Sequence, residues 1–208
     1  MARRKTGNVL SEDPEQAREQ LIDATERSFE RYGVNKTTMD DIGREAGVSR
    51  PTVYRYFKDR DALIAAVITR RARALFAEGR VFVAQFPTFA EKFVEGLIFL
   101  IARGSKDPLI RILVSPEHMQ MAQPIVDSSG LAVGLTAEMW EPLVRQAIDD
   151  GELRADLDPA KVCEWIALLE FILVGRIDVA GPDDEAHREM LCTFVLPALL
   201  SPSATPAG

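Results

Sequence analysis

The chain has 208 residues, of which 47% are hydrophobic and 27% charged, a composition that is typical of globular proteins and excludes a disordered chain. Its longest apolar stretches, residues 96–102 and 166–175, are much shorter than the roughly 20 residues that a bilayer requires. The opening residues do not resemble a secretory signal, so we expect a cytoplasmic protein. The net charge of −7 is unevenly distributed, because residues 1–75 carry +3 and the remainder carries −10. This asymmetry indicates two parts with different partners.

The two cysteines, Cys163 and Cys192, predict buried reduced thiols. Each lies in an apolar periodic stretch, and the sequence contains neither a paired-cysteine motif nor cysteine and histidine at metal-binding spacing. A free cysteine packs like a small hydrophobic residue. We therefore expect no metal and no cofactor.

Helical periodicity dominates the sequence and predicts an all-α fold. In the N-terminal part, capping and turn residues mark four helices in succession. Their expected starts are, in chain order, Pro14, Thr37 or Thr38, Ser49, and Asp59 or Asp61. Gly33 is expected to end the first helix, and Gly47 to form the turn between the second and the third.

In the C-terminal part, prolines and glycines separate further helices. One helix is expected from about Leu135 to Asp150, another from Pro159 to about Val179, and a last one from about Asp183 to Leu200. Pro197 lacks a backbone N–H and is expected to kink the last helix.

Residues 38–57, TMDDIGREAGVSRPTVYRYF, have the pattern of a helix-turn-helix. Two short helices flank a tight turn, and the second of them can enter the major groove of DNA. Val53 and Phe57, four residues apart, are expected to point inward. The outward face then consists of Arg50, Pro51, Thr52, Tyr54, Arg55 and Tyr56. Arginine can bond guanine, threonine can contact the thymine methyl group and tyrosine suits phosphates, so we expect this face to read DNA.

The stretch TTMDDIGREAGVSRPTVYRYFKDRDAL at residues 37–63 resembles the TetR family of transcriptional regulators. The resemblance extends over residues 15–70 and does not reach the C-terminal part, where that family diverges. It implies an all-α protein with an N-terminal three-helix DNA-binding domain, which contains the helix-turn-helix, and a C-terminal helical domain for ligand binding and dimerisation.

The resemblance also implies specific contacts with DNA. Thr38, Tyr56 and Arg60 are expected to grip phosphates, while the outward face of the third helix reads bases. Thr37 and Lys58 complete the expected set of DNA-binding residues. The family usually has lysine where this chain has Arg60, which keeps the positive charge.

The expected domain organisation has five segments. They are a disordered basic arm over residues 1–12, the helix-turn-helix DNA-binding domain over 13–60, a connecting helix over 61–80, the effector-binding and dimerisation domain over 81–200, and a disordered tail over 201–208.

A small-molecule effector is expected in the C-terminal domain, among apolar side chains with few polar anchors. The candidate ligand-binding residues are Phe93, Phe99, Met119, Trp140, His118 and Glu170. Ordinary core packing remains the alternative for each aromatic residue and methionine.

The last two long helices are expected to form the interface of a homodimer, as the resemblance implies. The candidate interface residues are Val162, Ile166, Leu169, Leu173, Leu191, Phe194, Val195 and Ala198. The same apolar face could instead close the core of the domain.

These expectations describe a repressor that binds a palindromic operator as a dimer and is released by an effector. The ligand would tilt the fourth helix and change the spacing of the two recognition helices, which read major grooves about 34–36 Å apart. The alternatives are a DNA-binding regulator without an effector, an activator or, more remotely, an enzyme in the C-terminal helices. An enzyme is disfavoured because the chain has only two histidines, and it has no Gly-rich phosphate loop or nucleophile elbow.

Overall fold

The structure, a computed structural model, describes residues 10–110, 130–180 and 184–202, and for residues 175–180 it describes the backbone alone. The chain divides into two compact units, Met1–Ile68 and Thr69–Gly208. Within the described residues every regular element is helical, which confirms the predicted all-α fold. None of the helices in these ranges is long and apolar enough to cross a membrane.

The first unit forms the helix-turn-helix. It contains helix α1 (Pro14–Tyr32), a 3₁₀ turn (Val34–Lys36), α2 (Met39–Ala46), α3 (Arg50–Tyr56) and the start of α4 (Arg60–Val83). The first three helices begin where the sequence predicts, because a side-chain oxygen accepts a backbone N–H of the first turn in each. The capping residues are Asp13, Thr38 and Ser49, so Thr38 rather than Thr37 caps α2.

The turn between α2 and α3 depends on two glycines. Gly47 adopts the left-handed conformation at φ 72°, which glycine tolerates without strain, and it ends α2. A Cβ atom at Gly43 would lie 3.0 Å from the carbonyl oxygen of Val48. Gly43 lowers the helix propensity of α2 by about 1 kcal/mol, but it lets the turn approach the helix closely. Helix α3 then buries Val53, with Phe57 buried just beyond its end.

The second unit packs its helices around a separate apolar core. After the remainder of α4 it contains α5 (Phe89–Gly104), α6 (Leu131–Asp149), α7 (Pro159–Ala180), α8 (Asp184–Met190), a π-helical turn (Leu191–Val195) and α9 (Leu196–Leu199). Its largest fully buried side chains include Phe89, Phe93, Met139 and Trp140. Helix α6 begins four residues before the predicted start.

The π-helical turn lies immediately before Pro197, the residue expected to kink this region. The N–H of Leu196 donates to the carbonyl of Leu191, five residues earlier, and so widens the turn. Proline has no N–H to donate to the preceding turn, so regular α-helical bonding is interrupted here.

The inner face of α7 is the face that the sequence analysis assigned to the dimer interface. Its side chains are at most 4% exposed and pack in the core of a single chain, as do two residues of the π-helical turn. This corrects the interface assignment of Val162, Ile166, Leu169, Leu173, Leu191 and Val195. Of the predicted interface residues, Phe194 and Ala198 are exposed.

The outer face of α7 is also apolar. Trp165, Leu168 and Ile172 are 47%, 55% and 49% exposed, and Phe194 on the π-helical turn is 77% exposed. Neighbouring large apolar side chains that are exposed to water are typical of an interaction surface.

The two cysteines have different environments. Cys163 is buried as predicted, and burial raises the pKa of its thiol to about 11. Cys192 is exposed, which corrects the prediction that both thiols are buried. Among the residues that the structure describes, no group of three or more histidine, cysteine or acidic side chains is placed to hold a metal ion.

Candidate nucleic-acid interface and effector cavity

Helix α3 presents the exposed face of the helix-turn-helix. Because α3 buries only Val53 among its own residues, the remaining side chains face outward. Four of them are exposed, among them Tyr54 at 39%, and the other two are half-buried. The structure thus brings together the predicted groove-facing set of Arg50, Pro51, Thr52, Tyr54, Arg55 and Tyr56 on one short helix.

Two arginine–tyrosine pairs organise this face. Arg50 Nη2 donates to the Tyr54 hydroxyl at 3.4 Å, and Arg50 also lies 3.6 Å from the Asp40 carboxylate of α2. Arg55 Nη2 donates to the Tyr56 hydroxyl at 3.2 Å. Each guanidinium lies within 5.4 Å of the ring centre of its tyrosine. Exposed contacts of these kinds contribute about 1 kcal/mol or less, so DNA can replace them.

The adjacent residues Thr37 and Thr38 have different roles. Thr37 is 2% exposed, and its hydroxyl donates to the carbonyl oxygens of Gly33 at 2.9 Å and Ser28 at 3.2 Å. A buried, committed hydroxyl does not reach a phosphate, which corrects the assignment of Thr37 to DNA binding. Thr38 is exposed, and its hydroxyl donates to the Asp41 carboxylate at 2.6 Å within a capping box. A phosphate contact by Thr38 stays a prediction.

The two basic residues that follow α3 also differ. Arg60 Nε donates to the carbonyl oxygen of Thr37 at 2.9 Å, and its Nη2 donates to the carbonyl oxygen of Val34. The guanidinium therefore holds the segment that leads into α2. The Lys58 side chain is 83% exposed. A phosphate contact stays a prediction for Lys58 and for the remaining N–H groups of Arg60.

We expect the alanine variants of Lys58 and Arg60 to distinguish the loss of a phosphate contact from the loss of structural hydrogen bonds. Lys58→Ala should reduce the slope of log affinity against log salt concentration by about one and leave the melting temperature unchanged. Arg60→Ala should lower the free energy of unfolding by about 1–3 kcal/mol, because two partly buried carbonyl groups lose their donor. DNA titrations at several salt concentrations and thermal melts check both. A wild-type slope for Lys58→Ala would show that Lys58 does not touch the phosphate backbone.

The second unit contains a cavity that is partly open to solvent. Helices α4, α5, α6 and α7 supply its walls, which are almost entirely apolar. The larger apolar side chains are Leu75, Phe76, Leu100, Ile101, Ile110, Leu135, Phe171 and Val174, and the polar side chains are Thr136 and Glu170. A concave apolar site with few polar groups suits a small molecule.

Glu170 is the acidic group in the described wall of the cavity. Its carboxylate accepts a hydrogen bond from the Thr136 hydroxyl at 2.8 Å and one from the Trp140 indole N–H at 3.3 Å. Burial raises the pKa of the Glu170 carboxyl to about 7, although both hydrogen bonds act in the opposite direction. The carboxylate is thus held in an environment that stabilises its charge less well than water does.

The structure places the predicted ligand-binding residues in different surroundings. Glu170 lines the cavity, whereas Phe93 and Trp140 are fully buried core residues with ring centres 5.7 Å apart. Phe99 stacks on Phe82 at 4.4 Å and is not among the described residues that line the cavity. Direct contact of these three aromatic residues with a ligand stays a prediction. Met119 and His118 lie outside the described residues.

Thr136 and most of the cavity wall were missed by the sequence analysis. These residues come from four helices that are distant in the sequence, and each one alone has the pattern of an ordinary core position. Glu170 could be recognised from the sequence because it is a charged residue within the apolar stretch at residues 166–175. A charged side chain is almost never buried without a partner or a function.

Comparison with known proteins agrees with the geometry of the first unit. The family model described as "Bacterial regulatory proteins, tetR family" matches residues 21–67, which contain α2, α3 and the turn between them. An uncharacterized HTH-type transcriptional regulator of Mycobacterium tuberculosis is 26% identical over 91% of this chain and 89% of its own length. Residues 21–67 of this chain thus have the DNA-binding region of the TetR family of transcriptional regulators.

Solved structures of transcriptional regulators share the fold of this chain beyond the helix-turn-helix. A TetR-family regulator from Pectobacterium atrosepticum matches with a TM-score of 0.65 and 21% identity over 90% of this chain and 95% of its own. The regulator FadR from Bacillus subtilis, in complex with stearoyl-CoA, matches with a TM-score of 0.57 and 16% identity over 85% of this chain and 98% of its own. At these identities the likeness concerns the fold alone.

Proposed function

We propose that this protein is a TetR-family repressor that binds a palindromic operator as a homodimer and leaves it when a small molecule occupies the cavity of the second unit. The observation that carries the proposal is the exposed face of α3. Two arginines and two tyrosines project from this short helix and contribute nothing to the buried core. A second helix of this kind is the element that enters the major groove in helix-turn-helix proteins.

The chemistry of α3 favours sequence-specific binding. Arg50 and Arg55 each have a planar set of N–H donors, which can bond the two major-groove acceptors of guanine. The hydroxyls of Tyr54 and Tyr56 hold the guanidinium groups near the helix surface and can bond phosphates when DNA arrives. The capping of α2 and α3 fixes the backbone that presents them.

The proposal is tested by selecting bound DNA from a random pool with the full chain and measuring arginine variants on the selected site. We expect two inverted half-sites whose centres lie about one helical turn, or a multiple of it, apart. Arg50→Ala and Arg55→Ala should each weaken operator binding by about 1–3 kcal/mol, or roughly 5- to 150-fold. Arg31→Ala, which changes an exposed arginine on α1, is the matched control and should bind like the wild type. Wild-type affinity in both α3 variants would contradict the proposed reading face.

The exposed apolar residues of the second unit support the homodimer. A second copy would cover Trp165, Leu168 and Ile172 of α7 together with Phe194. A two-fold dimer uses the same patch on both subunits. Each of these residues is therefore buried in both copies of the chain. The interface that we propose therefore uses the outer face of α7, opposite to the one predicted from sequence.

The cavity supports release by an effector. The FadR structure shows that a protein of this fold binds stearoyl-CoA. If one conformation of the dimer binds DNA and another binds the effector, the two affinities oppose each other by the same factor. A regulator without an effector would instead show the same operator affinity with every ligand that enters the cavity.

A further inference from the structure

Among the residues that the structure describes, the carboxylate of Glu170 has only neutral hydrogen-bond partners. Its two hydrogen bonds come from a hydroxyl and an indole N–H, at 2.8 and 3.3 Å. Other acids of the second unit face arginines: Glu138 forms a two-bond pair with Arg73, and Glu95 forms one with Arg188. Among the described residues no cationic side chain makes such a pair with Glu170.

The carboxylate also has unused acceptor capacity. Two carboxylate oxygens offer about four positions for hydrogen-bond donors. Thr136 and Trp140 occupy one position on each oxygen, Oε2 and Oε1 respectively. The remaining positions can accept donors from a molecule in the cavity, which Glu170 itself lines.

The other side chains of the described wall determine which chemical groups the rest of the ligand can carry. Apart from Thr136 and Glu170, the lining side chains are alanine, leucine, isoleucine, valine and phenylalanine, with one glycine. These groups bury an apolar body favourably but offer no donor to an anion. Within the described part of the wall, a cation that enters is paired with the carboxylate, whereas an anion meets a like charge without a compensating partner.

We infer that the effector of this cavity is a lipophilic amine, an apolar molecule with one cationic nitrogen that pairs with the Glu170 carboxylate. This inference rests on the proposed function, since it names the chemical class of the effector. The raised pKa of Glu170 agrees with it, because an enclosed carboxyl without a cationic partner holds its proton more tightly. Binding of the amine supplies the missing partner. The charge-assisted hydrogen bond that results is stronger than one between neutral groups.

The test compares three probes of nearly equal size on the full chain: 4-phenylbutylamine, 4-phenylbutanol and 4-phenylbutyrate. Near pH 8 the amine is cationic, because alkylamines have pKa values of about 10, and the carboxylic acid is ionised. By calorimetry we expect the amine to bind about tenfold more tightly than the alcohol, and the carboxylate to bind least. Glu170→Gln should bring the affinities for the amine and the alcohol to within about threefold, since it removes the charge but keeps the shape.

Glu138→Gln is the matched control, because it removes an acid of α6 that pairs with Arg73 and does not line the cavity. It should keep the preference of the wild type for the amine. Equal binding of amine and alcohol, preference for the carboxylate, no binding of any probe, or an amine preference that survives in Glu170→Gln would each overturn the inference. If Glu170→Gln does not fold, the ranking of the three probes on the wild type still decides.

Operator affinity measured with each probe separates this inference from the proposed function. If the amine binds through Glu170 but leaves operator affinity unchanged, the inference holds and release by this cavity is contradicted. If the alcohol, and not the amine, both binds and releases the operator, the proposed function holds and the inference is overturned.

Discussion

Replacing Leu168 with aspartate is expected to convert the proposed homodimer into a folded monomer that no longer binds the operator. Leu168 is 55% exposed in the single chain, so an aspartate there remains hydrated in the monomer. In the proposed dimer the carboxylate would be buried against the partner, and the two-fold symmetry places it there twice. An unpaired buried charge costs several kcal/mol, which is enough to separate the subunits.

The adjacent residue provides the control for this experiment. Leu169 is 4% exposed and packs in the core, so Leu169→Asp should unfold the second unit itself. Light scattering reports the oligomeric state and circular dichroism melts report folding. Phe194→Asp, at a position that is 77% exposed, should behave like Leu168→Asp. A Leu168→Asp protein that remains a dimer would exclude the outer face of α7 as the interface.

Glu170→Gln is expected to stabilise the protein near neutral pH and above, and to have little effect in acid. The carboxyl of Glu170 has an ordinary pKa of 4.5 and a pKa of about 7 in the folded protein. Below the lower value the carboxyl is protonated in both the folded and the unfolded chain, and its ionisation does not affect stability. Between the two values the unfolded chain ionises first, so the free energy of unfolding falls as the pH rises. Above about 7 the full loss, about 3 kcal/mol, remains.

Chemical denaturation of the wild type and the variant at several pH values measures this effect. The difference in unfolding free energy should be small at pH values below 4.5, grow up to about 7 and then stay constant. Glu138→Gln should show the opposite sign, because the hydrogen bond from Arg73 holds the pKa of Glu138 below its ordinary value. Its unfolding free energy should therefore be lower than that of the wild type above the ordinary carboxyl range. A Glu170→Gln variant that is not stabilised above pH 7 would show that water or another partner compensates the carboxylate.

The stability of the empty protein and the binding of a cation are linked through the Glu170 carboxylate. If the carboxylate destabilises the empty protein, a cation that pairs with it recovers part of the lost free energy when it binds. Such a group lowers the free energy of unfolding but serves binding, which is common at functional sites. A regulator with this arrangement gains stability from its ligand, since the ligand binds only the folded state.

The helix-turn-helix was predictable from the sequence because its determinants are local. Caps at Thr38 and Ser49, the left-handed glycine at position 47 and the spacing of Val53 and Phe57 each act within a few residues. Together they leave one arrangement in which α3 buries its apolar residues and exposes the others. The same local rules predicted the all-α fold and the helix over residues 159–180 of the second unit.

Only the tertiary structure distinguishes the roles of adjacent residues that have the same side chain. Thr37 and Thr38 are equivalent in sequence, but the bond from Arg60 to the Thr37 carbonyl and the burial of its hydroxyl make Thr37 structural. No pattern within the segment shows this, because Arg60 is 23 residues away from Thr37.

Helix α7 shows most clearly what the sequence by itself determined and what it left open. Its apolar residues and its length follow from residues 159–180 alone, and they require that both of its faces be covered. Which face meets the core of its own chain was decided by the packing of α6 and α5, whose residues come from distant parts of the sequence. Burial against the same chain and burial against a second copy remove apolar surface from water in the same way, so periodicity cannot distinguish them. The cavity beside Glu170 was decided likewise, because four helices must assemble before its walls exist.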